Sequence, residues 1–117
     1  MRLNEVVFNT GVPVDGYGSG FFRIGGEVVA GAALVLPSGV KQWGGFSDIS
    51  EIVAAASQID VLLVGTGENL SPLPVDFRTT VEGANIGIEP MASPTACRTY
   101  NILLSEGRRI GLSLLPV

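Results

Sequence analysis

The chain contains no histidine among its 117 residues. The commonest general base near pH 7 and the commonest metal ligand are therefore both missing. Neither a Ser-His-Asp nor a Cys-His site can be assembled from it. Cysteine is almost as scarce. The single Cys97 excludes an intrachain disulfide, and a zinc site would have to combine one thiolate with carboxylates, a poor donor set. Charged residues make up only 15% of the chain, and the net charge is −4 at pH 7. Lys41 is the sole lysine, and the arginines are scattered apart from the Arg108-Arg109 pair. Such a surface repels phosphate backbones, which argues against nucleic acid as a partner. The longest apolar run, near Val28–Leu36, is interrupted by Gly31 and is far too short to span a bilayer, so no membrane insertion is expected. The start, MRLNEVVFNTG, has no apolar targeting core and is not rich in Arg and Ser, which predicts a cytoplasmic protein. No metal and no cofactor is expected. Any chemistry would fall to carboxylates, Cys97, Tyr17, Tyr100, Lys41 or the arginines, and this poverty leans against an enzyme.

What is present is apolar. Hydrophobic residues are 46% of the chain, enough for one core. A chain of this size is a single domain, residues 1–117, that buries roughly two-thirds of its unfolded surface. The first half, up to about Trp43, reads as β-rich. Glu5–Asn9 and Gly20–Ile24 are short strand candidates rich in Val and Phe. Gly25-Gly26 reads as a two-residue hairpin turn, and Glu27–Leu36 as one returning strand apolar enough for burial on both faces. Pro37-Ser38-Gly39 marks another turn, and Val40–Trp43 a further strand. Gly11, Gly16, Gly18 and Gly20 make the segment around Tyr17 read as a flexible loop. The context needed for phosphate cradling is missing there.

The second half alternates helix and strand. Asp48 and Glu51 fit a capping box, followed by Ile49, Ile52, Val53 and Ala56 on one helical face. Val61–Val64 has four consecutive apolar residues, as in a central parallel strand, and Gly65-Thr66-Gly67 ends it. Pro74–Glu82 reads as a helix with Phe77 and Val81 one turn apart, and Ile86–Glu89 as a strand closed by Pro90. Ser93 reads as a helix cap with Pro94 at the first helical position. Ala96, Tyr100, Leu103 and Leu104 then fall on one side, and Gly107 is placed to end that helix. Ile110–Leu115 is the last strand, stopped by Pro116. Alternation of this kind predicts an α/β three-layer sandwich. It has a central mixed, mostly parallel sheet with helices packed on it, and an N-terminal β-hairpin region that extends or flanks the sheet.

Four segments carry a resemblance: Gly20-Phe21-Phe22-Arg23-Ile24, Trp43 after its Pro-containing turn, Val61-Leu62-Leu63-Val64-Gly65-Thr66-Gly67, and above all Ala96-Cys97-Arg98-Thr99-Tyr100-Asn101-Ile102-Leu103-Leu104-Ser105-Glu106-Gly107-Arg108-Arg109. Over nearly its whole length the chain resembles the small α/β family that includes the third mitochondrial complex I assembly factor and many uncharacterised bacterial and archaeal proteins. The resemblance implies a three-layer α/β fold around a central mixed sheet. The eukaryotic member is implicated in assembling respiratory complex I, and the bacterial members have no established reaction. Without a transit peptide the chain looks like a bacterial member.

Two candidate sites follow from the residues. Strands that run parallel present ligands at their carboxyl ends, so Thr66, Gly67, Glu89, Cys97, Arg98 and Asn101 converge if Ile86–Glu89 runs parallel to Val61–Val64. Gly65-Thr66-Gly67 is neither a dinucleotide fingerprint nor a Walker A loop, and reads equally as a tight turn. Cys97, near a helix start and beside Arg98, is either an activated thiol or a small buried hydrophobe. Arg98 either binds an anion or a partner's carboxylate, or holds Glu89 or Glu106 in a structural ion pair. Trp43 and Phe46, beside Gly44-Gly45, form either an exposed binding patch or core packing under a loop. Three functions are consistent with this. The first is a non-catalytic protein-interaction or assembly module, which needs a protein partner. The second is a small-molecule or anion-binding domain at the Gly65–Gly67 and Cys97-Arg98 edge. The third is a thiol-dependent enzyme. Exposed strand edges and low surface charge also allow a homodimer.

Overall fold

The apolar run at 27–36 does not form one strand. Gly31 breaks it at φ +76°, a conformation that side chains with a Cβ disfavour, and the two halves enter different sheets. A computed structural model describes residues 12–117. The strand expected at Glu5–Asn9 lies outside the described residues.

The first half of the run, β3 (Glu27–Ala30), completes a three-stranded antiparallel sheet with β1 (Val14–Gly18) and β2 (Phe21–Ile24), in the order β1-β2-β3. Gly25 and Gly26 make the turn between β2 and β3, as expected. Within the glycine-rich segment read as a loop, whose Gly11 lies outside the described residues, Val14–Gly18 is therefore strand β1. Pairing with β2 overrides its low β propensity, and the Phe21 ring lies over Gly18, where a Cβ would come within 2.3 Å of the ring. The hairpin region thus forms a sheet of its own.

The second half of the run, β4 (Ala33–Leu36), turns through Pro37-Ser38 into β5 (Gly39–Gln42) and joins a five-stranded sheet. With β6 (Val61–Thr66), β7 (Gly87–Met91) and β8 (Ile110–Leu115) the order is β5-β4-β8-β6-β7. The sheet is mixed: β6 is parallel to β7 and β8, while β4 is antiparallel to β8 and β5. Strand β7 runs on through Pro90 instead of stopping before it. A proline is tolerated there because β7 is an edge strand.

Among the described residues three helices accompany the sheets: α1 (Ser50–Ala54), α2 (Val75–Gly83) and α3 (Ser93–Ser105). Among the described residues no helix is long and apolar enough to cross a membrane. Asp48 does not cap α1. Its carboxylate instead accepts the Gly44 N–H at 2.8 Å, and Ile49 occupies the cap position. Nor does Ser93 cap α3: Ala92 takes that place and Ser93 becomes the first helical residue. Gly107 follows the end of α3 as expected.

Two apolar cores lie on the two faces of the five-stranded sheet. On one face Val14, Phe22, Ile24 and Val29 of the small sheet join Ala96, Cys97, Tyr100 and Leu104 of α3 against Val35, Leu63, Leu112 and Leu114. On the other, Ile52 of α1 and Phe77 and Val81 of α2 pack with Trp43 on Leu34, Leu36, Leu62 and Val64. Alternation between these cores is why Ala33–Leu36 of β4 and Val61–Val64 of β6 read as continuously apolar. The result is the expected three layers: the small sheet with α3, the five-stranded sheet, and α1 with α2.

Candidate functional site

The carboxyl ends of β6, β7 and β8 meet the start of α3, and Ser93 is the residue that joins them. Fully buried, its hydroxyl donates to the Leu115 carbonyl at 2.6 Å and accepts the Gly67 N–H at 2.9 Å. Its own N–H donates to the Gly67 carbonyl at 2.7 Å. Gly65 is dictated by this contact: a Cβ there would lie 2.6 Å from Ser93 Oγ and 2.8 Å from Ser93 Cα. Thr66 closes the next loop. Its hydroxyl donates to the Asn69 carbonyl at 2.7 Å and accepts the Ser71 N–H at 3.0 Å. Thr66 and Gly67 are thus brought together, with their polar atoms engaged by the chain itself.

The other four residues diverge. Glu89, opposite Leu63 in the register, is exposed on the edge strand. Cys97 is 3% exposed and packs in the core between α3 and the sheet. Burial pushes its pKa up to about 11, against the opposing effect of the Arg98 charge. Arg98 is exposed and reaches only Thr95 Oγ1, at 3.4 Å; neither Glu89 nor Glu106 pairs with it. Asn101 faces the small sheet. Its amide oxygen accepts the Val14 N–H and its amide nitrogen donates to the Val14 carbonyl, both at 2.8 Å. This pair stands where another strand would pair with β1, and it joins α3 and the small sheet into one layer. Among the described residues no three of Cys, Asp and Glu gather closely enough to ligate a metal.

Trp43 is 5% exposed and belongs to the core, with Phe46 partly buried beside it. The Trp43 ring meets Phe46 edge-on at 5.5 Å and Phe77 at 6.1 Å, and its indole N–H donates to the Asp48 carbonyl at 2.8 Å. The Gly44–Asp48 turn is therefore wrapped around an aromatic cluster, and the structure places Trp43 inside and not on an exposed patch. Sequence reasoning missed the tertiary role of Ser93, because a serine before proline carries the local signature of a cap. It also missed the hydroxyls of Tyr100 and Ser113, both fully buried and without a protein partner among the described residues.

Comparison with known proteins agrees with this fold. Residues 14–115 match the family described as "Protein of unknown function (DUF498/DUF598)", and the chain belongs to that family. It is 43% identical over 117 residues to an uncharacterized protein of Rhodobacter capsulatus, covering all of this chain and 94% of that one. Over 110 residues, 88% of this chain, it is 34% identical to human NADH dehydrogenase (ubiquinone) 1 alpha subcomplex assembly factor 3. It spans 60% of the length of that protein, and likewise of the bovine one. A solved structure from Bartonella henselae, described as an outer membrane protein, superposes with a TM-score of 0.85 at 34% identity, covering 94% of this chain and 98% of that one. A Bordetella pertussis structure described as an Mth938-like domain gives a TM-score of 0.72 at 29% identity, covering 90% and 85%.

Proposed function

We propose that this chain is a non-catalytic protein-interaction module that serves the assembly of a larger complex, with respiratory complex I as the target. The observation that carries this reading is the 34% identity, over 88% of the chain, to a protein named as a complex I assembly factor. An assembly factor must bind protein partners, so a protein partner is part of the proposal. Two features of the structure support it over chemistry. The only cysteine is buried with its pKa raised, the opposite of an activated nucleophile. The polar atoms at the carboxyl edge of the parallel strands bond to one another, so an anion there would have to displace Ser93 from Gly67. The test is deletion of the gene in its own cell, followed by native electrophoresis of membranes and assay of NADH:quinone oxidoreductase activity. The expected result is loss of fully assembled complex I and accumulation of subassemblies, restored by the wild-type chain. Normal amounts of intact complex in the deletion strain overturn the reading.

A further inference from the structure

We propose that the outer face of the layer formed by β1–β3 and α3 docks an acidic segment of a partner protein, one whose carboxylates flank apolar side chains. The proposal rests on the interaction-module reading and assigns it a surface.

Alternation along β2 and β3 sends Phe22 and Val29 into the core and turns Phe21, Arg23, Val28 and Ala30 outward. The register sets Arg23 opposite Val28 and Phe21 opposite Ala30. Val28 is 56% exposed, which is unusual for a large apolar residue on a strand. On α3 the buried residues Ala96, Cys97, Tyr100 and Leu104 face the sheet, so Arg98 and Ile102, four residues apart, share the opposite stripe. Ile102 is 58% exposed. The inward residues of the small sheet and of α3 share one core on one side of the five-stranded sheet. Their outward residues therefore share one side of the molecule, and Asn101 joins the two elements edge to edge.

Charge selects the occupant. Lys41, Arg78 and Arg109 each pair with a carboxylate, Glu51, Glu82 and Asp60 respectively. Arg23 and Arg98 have no carboxylate partner among the described residues, although the chain as a whole is acidic. The nearby Asp15 carboxylate is engaged by the Gly26 N–H at 2.6 Å. Two guanidinium groups without a carboxylate partner among the described residues, beside half-buried Phe21 and exposed Val28 and Ile102, match carboxylates set around apolar anchors.

The experiment places a photoreactive amino acid at Val28 or at Ile102 of the full chain in its own cell. Leu70 and Val75, exposed apolar positions by the other face, serve as controls. Cross-linked peptides are sequenced. The expected result is one partner protein captured from both Val28 and Ile102, through a segment rich in Asp or Glu and apolar residues. Its yield should fall at least ~10-fold in the Arg23→Glu/Arg98→Glu double variant, and by less than ~2-fold in Arg108→Glu. Thermal unfolding checks that the double variant is folded, and Arg23→Gln/Arg98→Gln replaces it if it is not. Adducts to lipid, nucleic acid or a second copy of this chain, a basic captured segment, or a yield insensitive to the arginines all overturn the proposal. Protein adducts only from Leu70 and Val75 overturn the face and leave the interaction reading standing. No protein adduct from any of the four positions sinks both.

Discussion

The carboxyl edge of the parallel strands and the outer face of the β1–β3 and α3 layer treat polar groups in opposite ways. At the edge, Ser93 bonds to Gly67 and Leu115, Thr66 bonds to Asn69 and Ser71, and the glycine beside Ser93 leaves no room for a Cβ. On the outer face, Arg23 and Arg98 stand beside exposed Val28 and Ile102 with no carboxylate among the described residues to hold them. In open α/β sheets the first region is where ligands usually bind. Here that position is occupied by structural bonds, and Arg23 and Arg98 lie on the face away from the central sheet. The fold's customary crevice is spent on structure, which is why the proposed docking surface lies elsewhere.

The largest expected effect tests whether the edge is closed. Gly65→Val would drive a side chain into Ser93 and Leu114. Overpacking against backbone costs about 3 kcal/mol, read as a lower urea midpoint at unchanged slope. A neutral outcome would mean that the edge has slack, and with it room for a ligand. Ser93→Ala removes one donor and one acceptor and strands the buried Gly67 N–H, for about 2 kcal/mol. Were Ser93 only a helix cap, the loss would be confined to fraying of α3, visible by hydrogen exchange as faster exchange in its first turn alone.

Cys97 and Arg98 bring the same contrast into one turn of α3, with consecutive residues in the core and on the outer face. Burial raises Cys97 from 9.0 to about 11 and Tyr100 from 10.0 to about 12. In each case the folded state holds the proton more tightly than the unfolded chain. Their contribution is therefore fully present below pH ~9 and is lost as pH rises through about 11, a loss of order 2 kcal/mol from Cys97 alone. Alkylation of folded protein should be slow at pH 7.5 and should appear on unfolding. Fast labelling at that pH would restore the activated-thiol reading.

How much of this was legible follows from the range of the interactions. Val61–Val64, the hairpin turn at Gly25-Gly26 and the end of α3 before Gly107 are written in local pattern, and each is where the pattern puts it. The break at Gly31 was hidden because apolar residues on both sides suit burial whichever sheet they enter. Strand β1 was hidden because its pairing with β2 and the cover that Phe21 gives Gly18 are tertiary facts. The same holds for the site. Local rules made Ser93 a cap, but its hydroxyl is claimed by residues 26 positions before it and 22 after it. Asn101 reaches Val14 across 87 positions, beyond any periodicity. Asn101→Ala, which loses both of those bonds, should cost about 1.5 kcal/mol and speed hydrogen exchange at Val14 more than within β6. Equal acceleration in both would mean that the small sheet does not open on its own.

The smallest effect on stability carries the sharpest contrast. Arg23→Glu and Arg98→Glu replace exposed side chains that no carboxylate among the described residues holds, so each should shift stability by no more than about 0.5 kcal/mol, against the several expected at the edge. A structural role would show as a larger loss in unfolding experiments, and the outer face would then resemble the edge. The functional effect should run the other way. Complementing the deletion strain with the double charge-reversed chain should fail to restore complex I, while a Ser93→Ala chain, destabilised but folded, should restore it in proportion to its abundance. If both variants complement equally well per molecule, the arginines have no part in the interaction and the contrast between the two regions loses its functional meaning.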